Sequence, residues 1–188
     1  MPSLLTPALP AGSLAGSIQP VLDGDGVRLR PWRAADADTV VAAYADPDIQ
    51  RWHCRTMTDA EARDWIARWP ARWRAETAAG WAVTGQDGVA GQISLRTIDL
   101  FEGLAEVSYW VLPHARGRGT AGRALRTLTD WAFGTLGLHR IVVCHSTANH
   151  ASCRVADRAG YPLEGTKRGE VRHTDGWHDM HLHARVMP

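Results

Sequence analysis

Arg116-Gly117-Arg118-Gly119-Thr120-Ala121-Gly122, RGRGTAG, places three glycines at the spacing G-x-G-x-x-G. Read literally, that is the fingerprint of a dinucleotide-binding turn. Such a turn sets its first glycine at the tip of a strand. It also needs an acidic residue about 20 positions on, at the end of the next strand, to hold a ribose. Here Pro113-His114-Ala115-Arg116 separates the preceding apolar strand from Gly117, and the next strand runs out at Cys144-His145-Ser146 with no carboxylate. Too little chain follows for a doubly wound sheet. No Gly-Lys-Ser/Thr follows the glycines, so a Walker loop is excluded as well. What survives is simpler. Small residues at a helix N-terminus leave backbone N–H groups free to face a phosphate, and the helix dipole adds to the attraction. Arg116 and Arg118 can add charge-assisted contacts. Taken alone, the seven residues fit a Gly-rich surface turn equally well.

The elements around the loop narrow the fold. Ala105–Leu112 is an apolar strand closed by Pro113. After the loop, Ala121, Ala124, Leu125, Leu128, Trp131 and Ala132 recur at helical spacing up to Gly137. Ile141–Cys144 reads as a short buried strand, and Asn149–Ala159 as a helix ended by Gly160. Upstream, Val27–Trp32 is a strand. Ala37–Tyr44 is a helix stopped by Asp46-Pro47. Thr58-x-x-Glu61 is a capping box that starts a helix carrying Trp65, Trp69 and Trp73, broken near Trp69 by Pro70. These tryptophans read as core. Trp81–Thr84 and Val89–Leu95 flank the turn Gly85-Gln86-Asp87-Gly88 as a hairpin, and Tyr161–Val186 holds two more strands around Thr174-Asp175-Gly176. This mixed order with segregated helices is an α+β architecture.

The whole chain sets the limits. Its 188 residues suffice for one domain with a real core. A formal net charge of +1 supplies no field to recruit nucleic acid or an anionic membrane surface. Three cysteines, Cys54, Cys144 and Cys153, form no C-x-x-C pair, which suits reduced thiols in a cytoplasmic setting. Residues 1–20 are rich in small residues and proline and carry no charge. They read as a flexible N-terminal arm ahead of a single domain over 21–188, with no signal peptide and no membrane span.

The segment EVSYWVLPHARGRGTAGRAL (106–125), followed by NHASCRVADRAGY (149–161), resembles the GNAT superfamily of acyl-CoA-dependent N-acetyltransferases. Within it, the RimJ/RimL branch of ribosomal-protein N-terminal acetyltransferases is the most similar. The superfamily's Arg/Gln-x-x-Gly-x-Gly/Ala signature falls on Arg116, Gly119 and Ala121. The branch's Asn-x-x-Ser falls on Asn149 and Ser152, with Gly160-Tyr161 in the place of Gly-Phe. The opening GVRLRPWRAADADTVVAAYADPDIQRW (26–52) resembles the start of this branch, so the likeness covers about residues 25–186.

The resemblance implies a strongly twisted mixed sheet of about seven strands flanked by about four helices, its two central parallel strands splayed apart. It implies acetyl-CoA as co-substrate, with no metal. The pantetheine arm would pair with backbone near Trp110, Val111 and Leu112. The pyrophosphate would rest on Gly117, Arg118, Gly119, Thr120, Ala121 and Gly122, beside Arg116, with Asn149 and Ser152 along the arm. The activity implied is acetyl transfer to a primary amine, either a protein N-terminus or a small-molecule amine, by direct attack. A different donor such as succinyl-CoA, or a non-catalytic acyl-CoA-binding module, stays open, as does monomer or homodimer. The amine must lose a proton to attack, so a base is required. Glu106, on the strand before the loop, is the candidate by resemblance, with His145 or water as rivals. Ser152 would steady the departing thiolate, because the tyrosine many members carry in this helix is replaced by Ala156. Trp52 and His53, on a loop after the first helix, are expected to line the acceptor pocket, with His173, Trp177 and Asp179 as counterparts there. His178-x-x-His181-x-His183 invites a metal reading. In a strand, however, His181 and His183 share a face that His178 does not, and no acidic or thiol ligand completes a known pattern with them.

Overall fold

The computed structural model describes residues 4–187, so Met1–Ser3 of the expected arm and Pro188 lie outside the described residues. Eight strands form one sheet: β1 (Leu22–Gly24), β2 (Val27–Pro31), β3 (Ala79–Gly85), β4 (Gly88–Asp99), β5 (Leu104–Val111), β6 (Arg140–Ser146), β7 (Leu163–His173) and β8 (Gly176–Val186). Their order is β1-β2-β3-β4-β5-β6-β8-β7. Every neighbouring pair is antiparallel except β5 and β6, which run parallel. The strand not anticipated is β1, too short to show alternation.

Six α-helices complete the described residues. α1 (Ala37–Ala45), α2 (Pro47–His53), α3 (Asp59–Ala67) and α4 (Trp69–Arg74) follow β2; α5 (Thr120–Trp131) precedes β6 and α6 (His150–Arg158) follows it. Strand alternation sorts the core into two clusters. Trp81, Val83, Ile93, Leu95, Val107, Ile141 and Val143 pack with Leu125 and Leu128 of α5 and Ala156 of α6. Ala82 and Trp110 turn the other way, onto Val40, Ile66 and Trp69. Gly80 belongs to that second face: a Cβ there would meet the Trp69 ring at 2.5 Å, so glycine is what lets the indole lie on β3.

Local sequence rules explain the helix ends. Thr58 Oγ1 accepts from the Glu61 N–H at 3.3 Å, and the Glu61 carboxylate accepts from the Thr58 N–H at 2.7 Å. Arg68 separates α3 from α4, as Pro70 requires. Asp46 and Pro47 do stop α1, but they also start α2. Asp46 caps it by accepting from the Ile49 N–H at 3.0 Å, with proline in the first turn where its missing N–H costs nothing.

Residues 8–20 of the expected flexible arm pack against the domain. Leu9 and Leu14 are buried in the main core. The Glu76 carboxylate accepts the N–H groups of Gly12, Leu14 and Ala15 at 2.8, 2.7 and 3.1 Å. The indole N–H groups of Trp73 and Trp81 donate to Ser17 and Pro20 carbonyls. Small residues let this segment lie close enough to be bonded along its backbone.

One buried ion pair ties β2 to the first helical turn. Arg30 donates two hydrogen bonds to Asp36, both 2.7 Å, and the Arg33 N–H adds one at 2.9 Å. Burial alone would raise the Asp36 carboxyl, but the Arg30 and Arg33 hydrogen bonds outweigh it and hold it below the usual aspartate range. A depressed carboxyl gives stability that is present above its unfolded pKa, about 4, and lost as pH falls through the folded value. Asp36→Asn should cost roughly 2 kcal/mol, read from the urea midpoint at neutral pH, because the guanidinium keeps its burial and loses its counter-charge.

Candidate active site

β5 and β6 separate where they are still strands. Their parallel register runs from Leu104↔Arg140 to Val107↔Val143 and stops. Ser108–Val111 continue to pair with β4, and Cys144–Ser146 with β8, but not with each other. Opposite the last pair, β4 carries a bulge: Leu95 faces Val107, Thr97 faces Glu106, and Arg96 is the extra residue. A bulge raises local twist, which turns β5 away from its parallel neighbour.

The splay opens into a cleft of about 820 Å³. Gly119 is the N-cap of α5, in the left-handed region at φ 74°, so no side chain caps the first turn. Thr120, Ala121 and Gly122 follow, and with Gly117 they line the cleft. The Arg123 N–H is already bonded to the Gly119 carbonyl at 3.0 Å, so the unspent donors belong to the three residues before it.

Across the splay, Asn149 caps α6 by accepting from the Ser152 N–H at 3.1 Å. Ser152 Oγ lies 2.7 Å from the Tyr109 hydroxyl. Burial pushes the Tyr109 phenol up to about 12, against the lowering effect of the Ser152 hydrogen bond, so it holds its proton at neutral pH. Sequence reading passed over Tyr109. Its signal was parity: with Val107 facing α5, Tyr109 must follow onto the same face of β5.

Trp52 and His53 stand on α2, which corrects their placement on a loop. Both line the cleft. Burial, together with the charges of Arg55 and Arg96, pushes the His53 imidazole down to about 4, although a hydrogen bond with the Tyr109 backbone opposes this. His53 is therefore neutral at physiological pH. The Trp52 ring meets His173 at 6.0 Å and His178 at 6.5 Å, which joins α2 to the β7–β8 hairpin.

A family model described as an acetyltransferase (GNAT) domain matches residues 27–162. The chain belongs to the GNAT acetyltransferases. Among its relatives, the putative ribosomal N-acetyltransferase YdaF of Bacillus subtilis is 33% identical over 49% of this chain and 50% of its own length. The ribosomal-protein-serine acetyltransferase of Escherichia coli is 30% identical over 54% and 57%. The matched stretch thus spans about half of each of these two, whereas the uncharacterised N-acetyltransferase YoaA of B. subtilis is matched over 98% of its length at 24% identity. The RimL ribosomal L7/L12 alpha-N-protein acetyltransferase, solved in complex with coenzyme A, superposes with a TM-score of 0.82 at 20% identity, covering 89% of this chain and 98% of that one. The ribosomal-protein acetyltransferases among these similar proteins are of the kind that the resemblance to the RimJ/RimL-type branch implies.

Against this GNAT frame, the residues read from sequence divide. Trp110, Val111, Arg116, Gly117, Gly119, Thr120, Ala121, Gly122, Asn149 and Ser152 line the cleft. Leu112 is buried in the second core cluster instead. Arg118 is exposed and turned to Asp87, 3.8 Å away. Arg116 lines the cleft but has protein partners. Its guanidinium donates to Asp48 at 2.8 Å, to Asp46 at 2.5 Å and, through Nε, to the Val111 carbonyl at 3.1 Å. It latches the loop to α2 through three of its five N–H groups. Arg123, Arg126, Arg154 and Arg158, not singled out in sequence, line the cleft at helical spacing on α5 and α6.

Glu106 does not line this cleft. One residue out of phase with Val107 and Tyr109, it faces the other side of the sheet and pairs with Arg96 at 3.6 Å. His145 does not line it either: its Nδ1 is tied to the Ser146 carbonyl, and its Nε2 is buried without a partner. Among the acceptor residues, His173 is brought to Trp52, Trp177 is 68% exposed, and Asp179 accepts the Gly169 N–H at 2.8 Å. Trp177 and Asp179 are outside the cleft lining.

Proposed function

We propose that the chain is an acetyl-CoA-dependent N-acetyltransferase that acetylates a primary amine, a protein N-terminus first, by direct attack. The observation that carries this reading is the splay of β5 from β6 with the uncapped first turn of α5 at its edge. Ser108–Val111 keep one edge of their backbone without a ladder partner, which an extended amide-bearing arm can use. The first turn of α5 offers its N–H groups to a pyrophosphate, and the lining arginines add positive charge. The protein acceptor is supported by the ribosomal-protein acetyltransferases among the relatives. Free thiols at Cys54, Cys144 and Cys153 suit the cytoplasmic setting that belongs to this proposal.

In this reading Tyr109 is the acid. It keeps its proton, and through Ser152 it would donate toward the departing thiolate from the strand, in the absence of a helix tyrosine at Ala156. Glu106 is the base. Because it faces the other side of the sheet, it would take the amine's proton through water in the gap where β5 leaves β6, not directly. Neutral His53 adds no charge to repel an incoming ammonium.

The test is an acceptor screen that follows CoA release, using N-terminal peptides of ribosomal proteins beside small amines. Release with a peptide is expected; release only with small amines would overturn the protein acceptor, and none with any amine would favour a binding module. Arg55 and Arg96 beside His53 could hold a second carboxylate, so succinyl-CoA belongs in the same assay. Glu106→Gln should lower kcat by about a hundredfold while acetyl-CoA affinity holds. Unchanged turnover would remove Glu106 as the base.

A further inference from the structure

The histidine pattern set aside in the sequence is completed by the fold. His145 on β6, His181 and His183 on β8, and Cys153 on α6 bring one potential ligand atom each within 4.8 Å of all the others. The thiol that the strand pattern lacked comes from a helix packed over the two strands. His178 is excluded as parity requires, bonded instead to Ser146 Oγ at 2.7 Å. None of the four lines the acyl cleft.

The protonation of this cluster is set from outside. His145 Nδ1 lies 2.8 Å from the Ser146 carbonyl, and His183 Nδ1 lies 2.9 Å from the Tyr161 carbonyl. A carbonyl oxygen can only accept, so in each ring Nδ1 carries the hydrogen and Nε2 carries a lone pair. Both Nε2 atoms face inward: that of His183 lies 3.7 Å from Cys153 Sγ, and that of His145 is buried with no partner. His181 Nδ1 is likewise buried and unpartnered. His145 is 6% exposed and His183 2%, so bulk solvent does not reach these rings. Backbone carbonyls that orient imidazoles by the far nitrogen are what holds histidine ligands in metal sites.

We propose that His145, Cys153, His181 and His183 form a closed four-coordinate zinc site that clips α6 to β6 and β8. One thiolate with three imidazoles is a borderline-soft donor set, which suits zinc. Ligand bonds of about 2.0–2.3 Å imply ligand–ligand edges near 3.5 Å, so the 3.7 Å edge is already in place. The wider ones close by side-chain rotation. Binding replaces the Cys153 S–H bond with a Zn–S bond and releases that proton to solvent. The site is structural: it holds the helix whose Asn149 and Ser152 line the cleft, and it does not rest on the acyl-transfer reading.

The test uses the untagged full chain. After chelation it is titrated with zinc against a competing chelator, and with cobalt to read coordination. One equivalent of metal is expected, with a thiolate-to-cobalt charge-transfer band, tetrahedral d–d bands and a zinc-dependent rise in Tm. Cys153→Ser should abolish the charge-transfer band. Cys153→Ser and His181→Gln, both close in size to the originals, should each weaken zinc by roughly a hundredfold or more. No stoichiometric binding by the folded chain would overturn the site. So would a variant that keeps wild-type affinity and the same cobalt spectrum. Acetyl-CoA affinity measured on the same samples reports separately on the cleft.

Discussion

Gly119→Val leaves the chain folded and weakens acetyl-CoA binding by at least about a hundredfold, or roughly 2.7 kcal/mol. Two separate facts lead to this expectation. At φ 74° residue 119 sits in the left-handed region, which valine resists, so the N-cap backbone is driven away from the conformation that presents the first turn of α5. And a Cβ at 119 meets no protein atom within 4 Å, so the new side chain occupies open space at the cleft rather than the core. The backbone strain costs about 1–2 kcal/mol, and the remainder comes from lost approach of the phosphates to the N–H groups. Gly88→Val is the control. Gly88 has φ 94° and equal room, but it opens β4 beside the β3–β4 turn, outside the cleft lining. It should lower Tm and leave binding alone. Calorimetric titration of both variants reads the difference, and a Gly119→Val protein that binds within about threefold of wild type would remove the loop from the phosphate site.

Tyr109→Phe should lower kcat about a hundredfold with acetyl-CoA affinity unchanged. The phenol is the protonated group that reaches Ser152, and no other ionisable side chain bonds that hydroxyl. Ser152→Ala should show the same signature. The two hydroxyls act as one hydrogen-bonded unit, so the double variant should lose little more than either single one. Removing the phenol leaves Ser152 Oγ short of a partner at a cost of about 1 kcal/mol, which the folded chain can bear. Pre-steady-state turnover with a saturating amine separates chemistry from CoA release. Full turnover in Tyr109→Phe would return the acid role to solvent.

Much of the fold was legible because its signals are local. A capping box at Thr58 and Glu61, a proline at 70, and apolar spacing over 121–132 each act within a turn or two of chain. The loop was legible for the same reason: glycines with positive φ at the start of a helix expose backbone wherever they occur. Local signals misled where one residue serves two neighbours. Asp46 and Pro47 end α1 and begin α2, and a reading that took them only as a stop put Trp52 and His53 on a loop. Arg116 looked free because its partners, Asp46 and Asp48, are 70 and 68 residues away.

By itself, then, the sequence determined the elements, the glycine loop and the family, since hydrophobic period and turn chemistry are properties of neighbouring residues. Tertiary structure decided which side chains meet. It folded an unpatterned N-terminal segment onto Glu76. It set Tyr109 rather than Glu106 toward Ser152, because consecutive strand residues face opposite sides of a sheet. It drew His145, Cys153, His181 and His183 from two strands and a helix into one cluster of buried and half-buried side chains. No spacing along the chain encodes such a meeting, because the distances that matter there run across the sheet.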